Sequence, residues 1–167
     1  LSVTPLVRVQ RECFSVKAET DRLTTGRTDI GALVTFTGLC RDEAGSLAAL
    51  EIEHYPGMAE EEIARVVATA LARWALEGVS IIHRYGQILP GEPIVLVATA
   101  SQHRAEAFEA ASFLMDYLKT KAPFWKKQHP AGSIAANWVG ARAEDDAAAE
   151  RWEKAASGET KSRPAGA

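Results

Sequence analysis

Two hydrophobic rhythms alternate along the chain, and their order predicts a mixed fold. Residues 31–41, GALVTFTGLCR, are rich in Val, Thr and Phe and predict a strand running to an arginine. After a Gly45-Ser46 turn, Leu47 to Tyr55 sets apolar Leu50 and Ile52 between polar Glu51 and Glu53, as a half-buried antiparallel strand does. Together the two segments predict a hairpin with a loop of several residues. Pro56-Gly57 breaks the pattern, and Glu60, Glu61 and Glu62 stand where negative charge favours a first helical turn. Ile63, Val66, Val67, Ala70, Leu71 and Trp74 then recur at helical spacing, with Gly78 as the expected stop. Val79 to Ile88 and Ile94 to Ala100 predict two strands about a Pro90-Gly91 turn, the second almost wholly apolar and so central.

Ser101 is the expected N-cap of the main helix, whose stripe is Phe108, Ala111, Met115 and Leu118 and whose end is Ala122-Pro123. Residues 134–139 predict a last short strand, and Ala143 to Ala156 a polar, alanine-rich helix. The fold class is therefore α+β: one domain over residues 1–156, a mostly antiparallel sheet, and two main helices packed on it. Residues 157–167 are expected to form a disordered tail.

Composition narrows the class. With 167 residues, 47% hydrophobic and 25% charged, the chain fits one globular core. No apolar run approaches the roughly 18 residues of a membrane span, and the first residues lack the layout of a secretory signal, so a cytoplasmic protein without a membrane partner is expected. Cys13 and Cys40 form no CxxC pairing, which supports neither a disulfide framework nor a metal site. Both read as structural thiols, although Arg41 beside Cys40 is the kind of neighbour that favours a thiolate.

Charge singles out one segment. The chain carries net charge -3, yet residues 101–129 hold five Lys or Arg against three acids. A nucleic-acid coat shows a basic pI and a long basic stripe; this local cluster points instead to a small anion. Lys119 and Lys126 are candidate catalytic groups, since neighbouring cations and partial burial both lower an ammonium pKa. The bland reading is a solvated basic helix end, against which Phe124 and Trp125 suggest a packed wall. His103 and Arg104 stand at a helix start, where free amides already favour an anion, and Arg41 ends its strand; each also reads as an ordinary surface cation. His54 and His83 fit structural histidines in apolar strands, and Phe36 and Met115 fit either a pocket wall or the core. From position 103 to 119 a helix runs roughly 24 Å, too far for one small ligand to touch both ends, so the two cationic ends are expected to meet across a symmetric dimer.

The motifs HYPGM at 54–58, HRYGQILPGE at 83–92, SQHRAEAFEA at 101–110 and DYLKTKAPFWKK at 116–127 resemble the large, catalytic subunit family of molybdopterin synthase, over roughly Phe14 to Trp152. The resemblance implies an α/β-hammerhead fold and a sulfurtransferase that converts cyclic pyranopterin monophosphate (precursor Z) to the dithiolene of molybdopterin. It also implies a small ubiquitin-like partner whose C-terminal Gly-Gly thiocarboxylate supplies the sulfur, a homodimer of this chain within a heterotetramer, and no metal or bound cofactor. By the same resemblance Lys119 and Lys126 are catalytic. Arg41, Lys126, Lys127 and Gln128 bind substrate, and His103, Arg104 and Arg142 reach the site from the neighbouring copy. Phe36, Leu39, Cys40 and Met115 line the pocket. Leu39 and Gln128 depart from the family's frequent lysine and glutamate at those positions. Two other functions remain open on the residues alone: a Schiff-base lysine enzyme acting on a phosphorylated carbonyl, and a non-catalytic module binding RNA or an acidic protein.

Overall fold

The computed structural model describes residues 3–140 and 142–156, and the expected tail lies outside them. Twelve elements follow in chain order: β1 (Leu6–Gln10), α1 (Val16–Thr24), β2 (Ala32–Leu39), β3 (Leu47–His54), α2 (Met58–Arg73), β4 (Leu76–Arg84), β5 (Gly86–Ile88), β6 (Pro93–Ser101), α3 (Arg104–Thr120), β7 (Phe124–Pro130), β8 (Asn137–Val139) and α4 (Ala143–Ala156). The strands form two four-stranded sheets, in the orders β1-β4-β6-β2 and β5-β3-β7-β8. All pairings are antiparallel except β1 with β4. The α+β class is as expected, and β6 is central in its sheet as its apolar run demands. No described helix is long and apolar enough to cross a membrane.

The main core lies between the first sheet and the helices. Ile63, Val66, Val67 and Ala70 of α2 and Ala110, Phe113, Leu114 and Leu118 of α3 meet Val79, Ile81, Val95 and Val97 of the sheet. Trp74 closes one end edge-on to Phe113, with ring centroids 5.1 Å apart. A smaller cluster of Cys40, Leu50, Ile52 and Ile88 underlies the second sheet. Phe124 packs against both clusters and so joins them.

Several local expectations are corrected. The segments 31–41 and 47–55 are strands but not a hairpin, because β2 pairs only with β6 while β3 pairs with β5 and β7. The end of β2 is held by the β5–β6 turn, with Cys40 N–H donating to Glu92 O (2.8 Å) and Gly91 N–H to Cys40 O (2.7 Å). Ala44 and Gly45 then take φ of 58° and 75°, turning the chain into the other sheet. Gly78 does not end α2, which stops at Arg73; it lies in β4, where a Cβ would meet Leu23 Cδ2 at 2.7 Å. Ser101 is not a helix cap: its hydroxyl donates to Ala75 O (2.8 Å) and accepts from His103 N–H (3.3 Å), leaving His103 as the N-cap. Phe108 is 62% exposed, and Ala107, Ala110 and Leu114 take the buried face of α3 instead.

Three elements, β1, α1 and β7 (Phe124–Pro130), had no reading in the sequence. β1 joins β4 in parallel, and α1 starts at Ser15, whose Oγ accepts from Ala18 N–H at 3.2 Å. α1 buries only Leu23 and Glu19. The Glu19 carboxylate is met by Arg22 Nε (3.1 Å), Ser80 Oγ (3.4 Å) and Arg8 (3.6 Å), the partners a buried charge needs.

His83 is buried in β4 and stacks on Phe124 with centroids 3.8 Å apart. Burial pushes its imidazole down from 6.5 to about 4, against the opposing effect of an Nδ1 contact to Arg84 O at 2.8 Å. As pH falls through 6.5 the unfolded chain takes up this proton and the folded chain does not, so His83 costs stability progressively down to about 4, by roughly 3 kcal/mol in all. Replacing His83 with Phe, which keeps a ring against Phe124, is expected to flatten the fall in urea-unfolding free energy between pH 7.5 and 4.5. Equal slopes in the two proteins would contradict this assignment.

Candidate active site

β7 begins where Pro123 ends the run of α3, and its alternation sorts the basic residues. Phe124, Lys126, Gln128 and Pro130 point to one face of the strand, and Trp125, Lys127 and His129 to the other. On the first face is a cleft of about 400 Å³. Its walls are Lys126, Gln128 and Pro130 from β7, Leu39, Cys40 and Arg41 from the end of β2, Leu47 and Leu50 from β3, and Val139 and Arg142 beyond β8. Six residues singled out from the sequence, Leu39, Cys40, Arg41, Lys126, Gln128 and Arg142, thus share one cavity, and Arg142 does so within its own copy rather than from the neighbouring one as the resemblance implies.

Lys126 lies opposite Ile52 and Val139 in the sheet register, and it is held partly out of water. Its ammonium pKa is lowered, first by desolvation and then by the charges of Lys119 and Arg142, with Asp145 acting the other way. Lys119, exposed in the last turn of α3, sets its Nζ 3.2 Å from Asp145 Oδ1. It stands near enough to Lys126 to repel it, although it is not part of the cleft wall. Asp145, in the first turn of α4, escaped the sequence reading because nothing in its spacing relates it to a lysine 26 residues earlier.

Arg41 Nη2 is 2.5 Å from Glu43 Oε1, and its side chain is largely exposed at the mouth of the cleft. Its neighbour Cys40 is buried, and its thiol pKa is raised by desolvation and then by the negative charges of Glu92 and Asp42. The expectation that Arg41 favours a thiolate is therefore corrected: Cys40 is a neutral packing group. Lys127 is turned away from the cleft, with its Nζ 2.6 Å from Glu53 Oε1 and 4.3 Å from the centre of the Trp138 ring. Met115 packs against the main core, and Phe36 lies on β2 at 42% exposure; neither lines the cleft. His103 and Arg104 are exposed at the opposite end of α3, 15 residues and so roughly 22 Å from Lys119.

Fold and cleft define a class: a single-domain α+β protein that collects lysine and arginine from separate elements around one cavity. The chain belongs to the MoaE protein family, whose model matches residues 9–121. It is 59% identical over 150 residues to the molybdopterin synthase catalytic subunit of Mesorhizobium japonicum, covering 90% of this chain and 94% of that one. Among solved structures, the molybdopterin biosynthesis MoaE protein of Burkholderia ambifaria superposes with a TM-score of 0.77 at 44% identity, covering 90% of this chain and 99% of that one. Molybdopterin synthase from Staphylococcus aureus does so with a TM-score of 0.72 at 27% identity, covering 79% and 95%.

The charges around Lys126 are separable. Arg142→Gln removes a repulsion and is expected to move the Lys126 titration to higher pH, while Asp145→Asn removes an attraction and moves it lower. The pH dependence of amine acylation at Lys126, followed by peptide mass spectrometry, reads both; shifts of the same sign would contradict the arrangement.

Proposed function

We propose that this chain is the catalytic subunit of a cytoplasmic molybdopterin synthase, transferring sulfur to precursor Z to build the dithiolene of molybdopterin. The observation that carries this reading is Lys126, turned into a cationic cleft with its ammonium pKa lowered by burial and by Lys119. A lysine whose ammonium pKa is lowered gives up its proton more readily than an ordinary surface lysine, which suits it to proton transfer. The relatives' shared description as catalytic subunits of this enzyme points the same way.

The chemistry follows from charge. The pterin phosphate and the donor's thiocarboxylate are both anions, which a partly dry cationic cleft attracts. Arg41 and Arg142 hold the phosphate at the cleft, Gln128 orients the substrate beside Lys126, and the backbone at Leu39 and Cys40 forms the floor. Lys119 moves protons as sulfur adds to the pterin side chain and stabilises charge on the donor's acyl group, assisted by Lys126. A small ubiquitin-like subunit presents the sulfur on a C-terminal Gly-Gly tail, which has no side chains to collide with the walls. Lys127 acts from the other face of β7, where its pairing with Glu53 fastens that strand to β3. His103 and Arg104 complete the site of a second copy, giving a central homodimer with one donor subunit at each end. No metal or bound organic cofactor enters, because the donor brings the sulfur.

Incubation with a thiocarboxylated small subunit and precursor Z, read by mass spectrometry, is expected to give the dithiolene. Lys119→Ala is expected to cut the rate by about a hundredfold or more, with binding of the small subunit unchanged by calorimetry. Full turnover by that variant, or no product from the native chain with a competent donor, sinks the reading.

A further inference from the structure

α4 buries only Ala149 outright, yet it is fastened to α3 by directed contacts. Trp152 Nε1 donates to Asp116 Oδ2 at 2.7 Å, and Arg151 Nη2 donates to the same oxygen at 2.8 Å and to Ser112 Oγ at 2.9 Å. The Trp152 ring meets those of Trp74 and Phe113 edge-on, with centroids 5.8 and 5.7 Å apart. Positions 145, 149 and 152 are spaced i, i+4, i+7 and so share one face of the helix. The face that docks Ala149 and Trp152 therefore also carries Asp145, and it delivers that carboxylate to the last turn of α3, where Lys119 stands.

The two members of this pair are unequal. Asp145 has a short side chain, 24% exposed, on a backbone whose N–H donates to Arg142 O at 3.0 Å. Lys119 has a long flexible stem and is 49% exposed, so its ammonium holds one position only when a fixed partner offsets the lost rotamer freedom. An ion pair this open to solvent contributes little to stability. What it does supply is a fixed place for Nζ. Asp145 also acts on Lys126, drawing against the charges of Lys119 and Arg142, so one carboxylate lies within electrostatic reach of both lysines.

We infer that Asp145 is a positioning residue for Lys119: docked on α3 through Trp152, α4 holds the Asp145 carboxylate where it fixes the Lys119 ammonium beside Lys126, in the place from which Lys119 serves the reaction. The inference rests on the role proposed above for Lys119, while the placing of Nζ is tested without any turnover. Removing the carboxylate leaves Lys119 attached to α3 and its charge in the neighbourhood of Lys126, but deprives Nζ of a defined position. The reaction then waits on a side chain that must find its place by chance, a loss that falls on the chemical step and not on binding. The groups given to substrate binding, Arg41, Gln128 and Arg142, are untouched by the change.

In dithiolene synthesis, Asp145→Asn is expected to lower kcat by about tenfold and to change KM for precursor Z by less than about twofold, with melting retained. Asp145→Glu keeps the carboxylate and is expected to recover most of the rate. Asp146→Asn, at an exposed position of the same turn, removes the same charge and is expected to leave kcat native. In a Lys119→Ala background Asp145→Asn is expected to add no further loss, because the group it positions is gone. Apart from turnover, acylation of Lys119 is followed by tandem mass spectrometry against Lys121, whose own partner Glu153 lies at 3.3 Å. The ratio is expected to rise severalfold in Asp145→Asn and to stay native in Asp145→Glu. A native kcat with a lower KM in Asp145→Asn, the mark of a bare change of charge, overturns the inference. So does an equal loss in Asp146→Asn or in the Lys119→Ala background, or an acylation ratio that does not respond. If the ratio responds as stated and native protein makes no dithiolene, the functional reading fails while the placing of Lys119 by Asp145 stands.

Discussion

An ammonium group held partly out of water beside other cations is the constraint on which the site depends. Lys126 gives up hydration in the cleft and meets the fields of Lys119 and Arg142, relieved only in part by Asp145. Such an arrangement is unfavourable in the empty protein and becomes more favourable when an anion arrives, which is the physical ground of the proposal that the cleft takes a phosphorylated substrate and an anionic sulfur donor. The fold must therefore hold Lys126 against its own electrostatics. It does so from a strand fixed on both sides, by β3 through Glu53–Lys127 and Glu51–His129 and by β8 at Val139.

Period-two alternation makes this possible. One face of β7 carries Lys126 and Gln128 to the cleft, while the other spends its charges on acidic partners in β3. Phe124, two residues before Lys126 on the cleft face, is fixed by stacking on buried His83 and by both hydrophobic clusters. The main core thus anchors the strand that presents the lysine.

Much of this was legible in the residues, and the rest failed for identifiable reasons. The apolar run of β6, the periodicity of α2 and the alanine-rich α4 carry strong local signals, and their positions follow the sequence. β1 and α1 carry weak ones, since α1 buries only Leu23 and a charged Glu19 whose partners come from distant strands. Periodicity shows that β2 and β3 are strands but not which strands they join, so proximity along the chain suggested a hairpin that the Cys40–Glu92 bonding precludes. Lys126 and Lys127 look equivalent as a basic pair; only knowledge that they lie on a strand sends them to opposite faces. Gathering Leu39, Cys40, Arg41 and Arg142 around Lys126 needed the family resemblance, because four separate stretches of chain converge there.

The central claim is that each working site draws on two copies of the chain, and subunit mixing tests it most directly. Arg104→Ala leaves a copy with a sound cleft and a defective arm, and Lys126→Ala leaves the reverse, so each variant alone is expected to be inactive in dithiolene synthesis. Equal mixing and re-equilibration should place half the chains in hybrid dimers with one sound site apiece, restoring about a quarter of native activity. Activity that stays at the level of the separate variants, in a mixture shown to contain hybrids, would contradict the account.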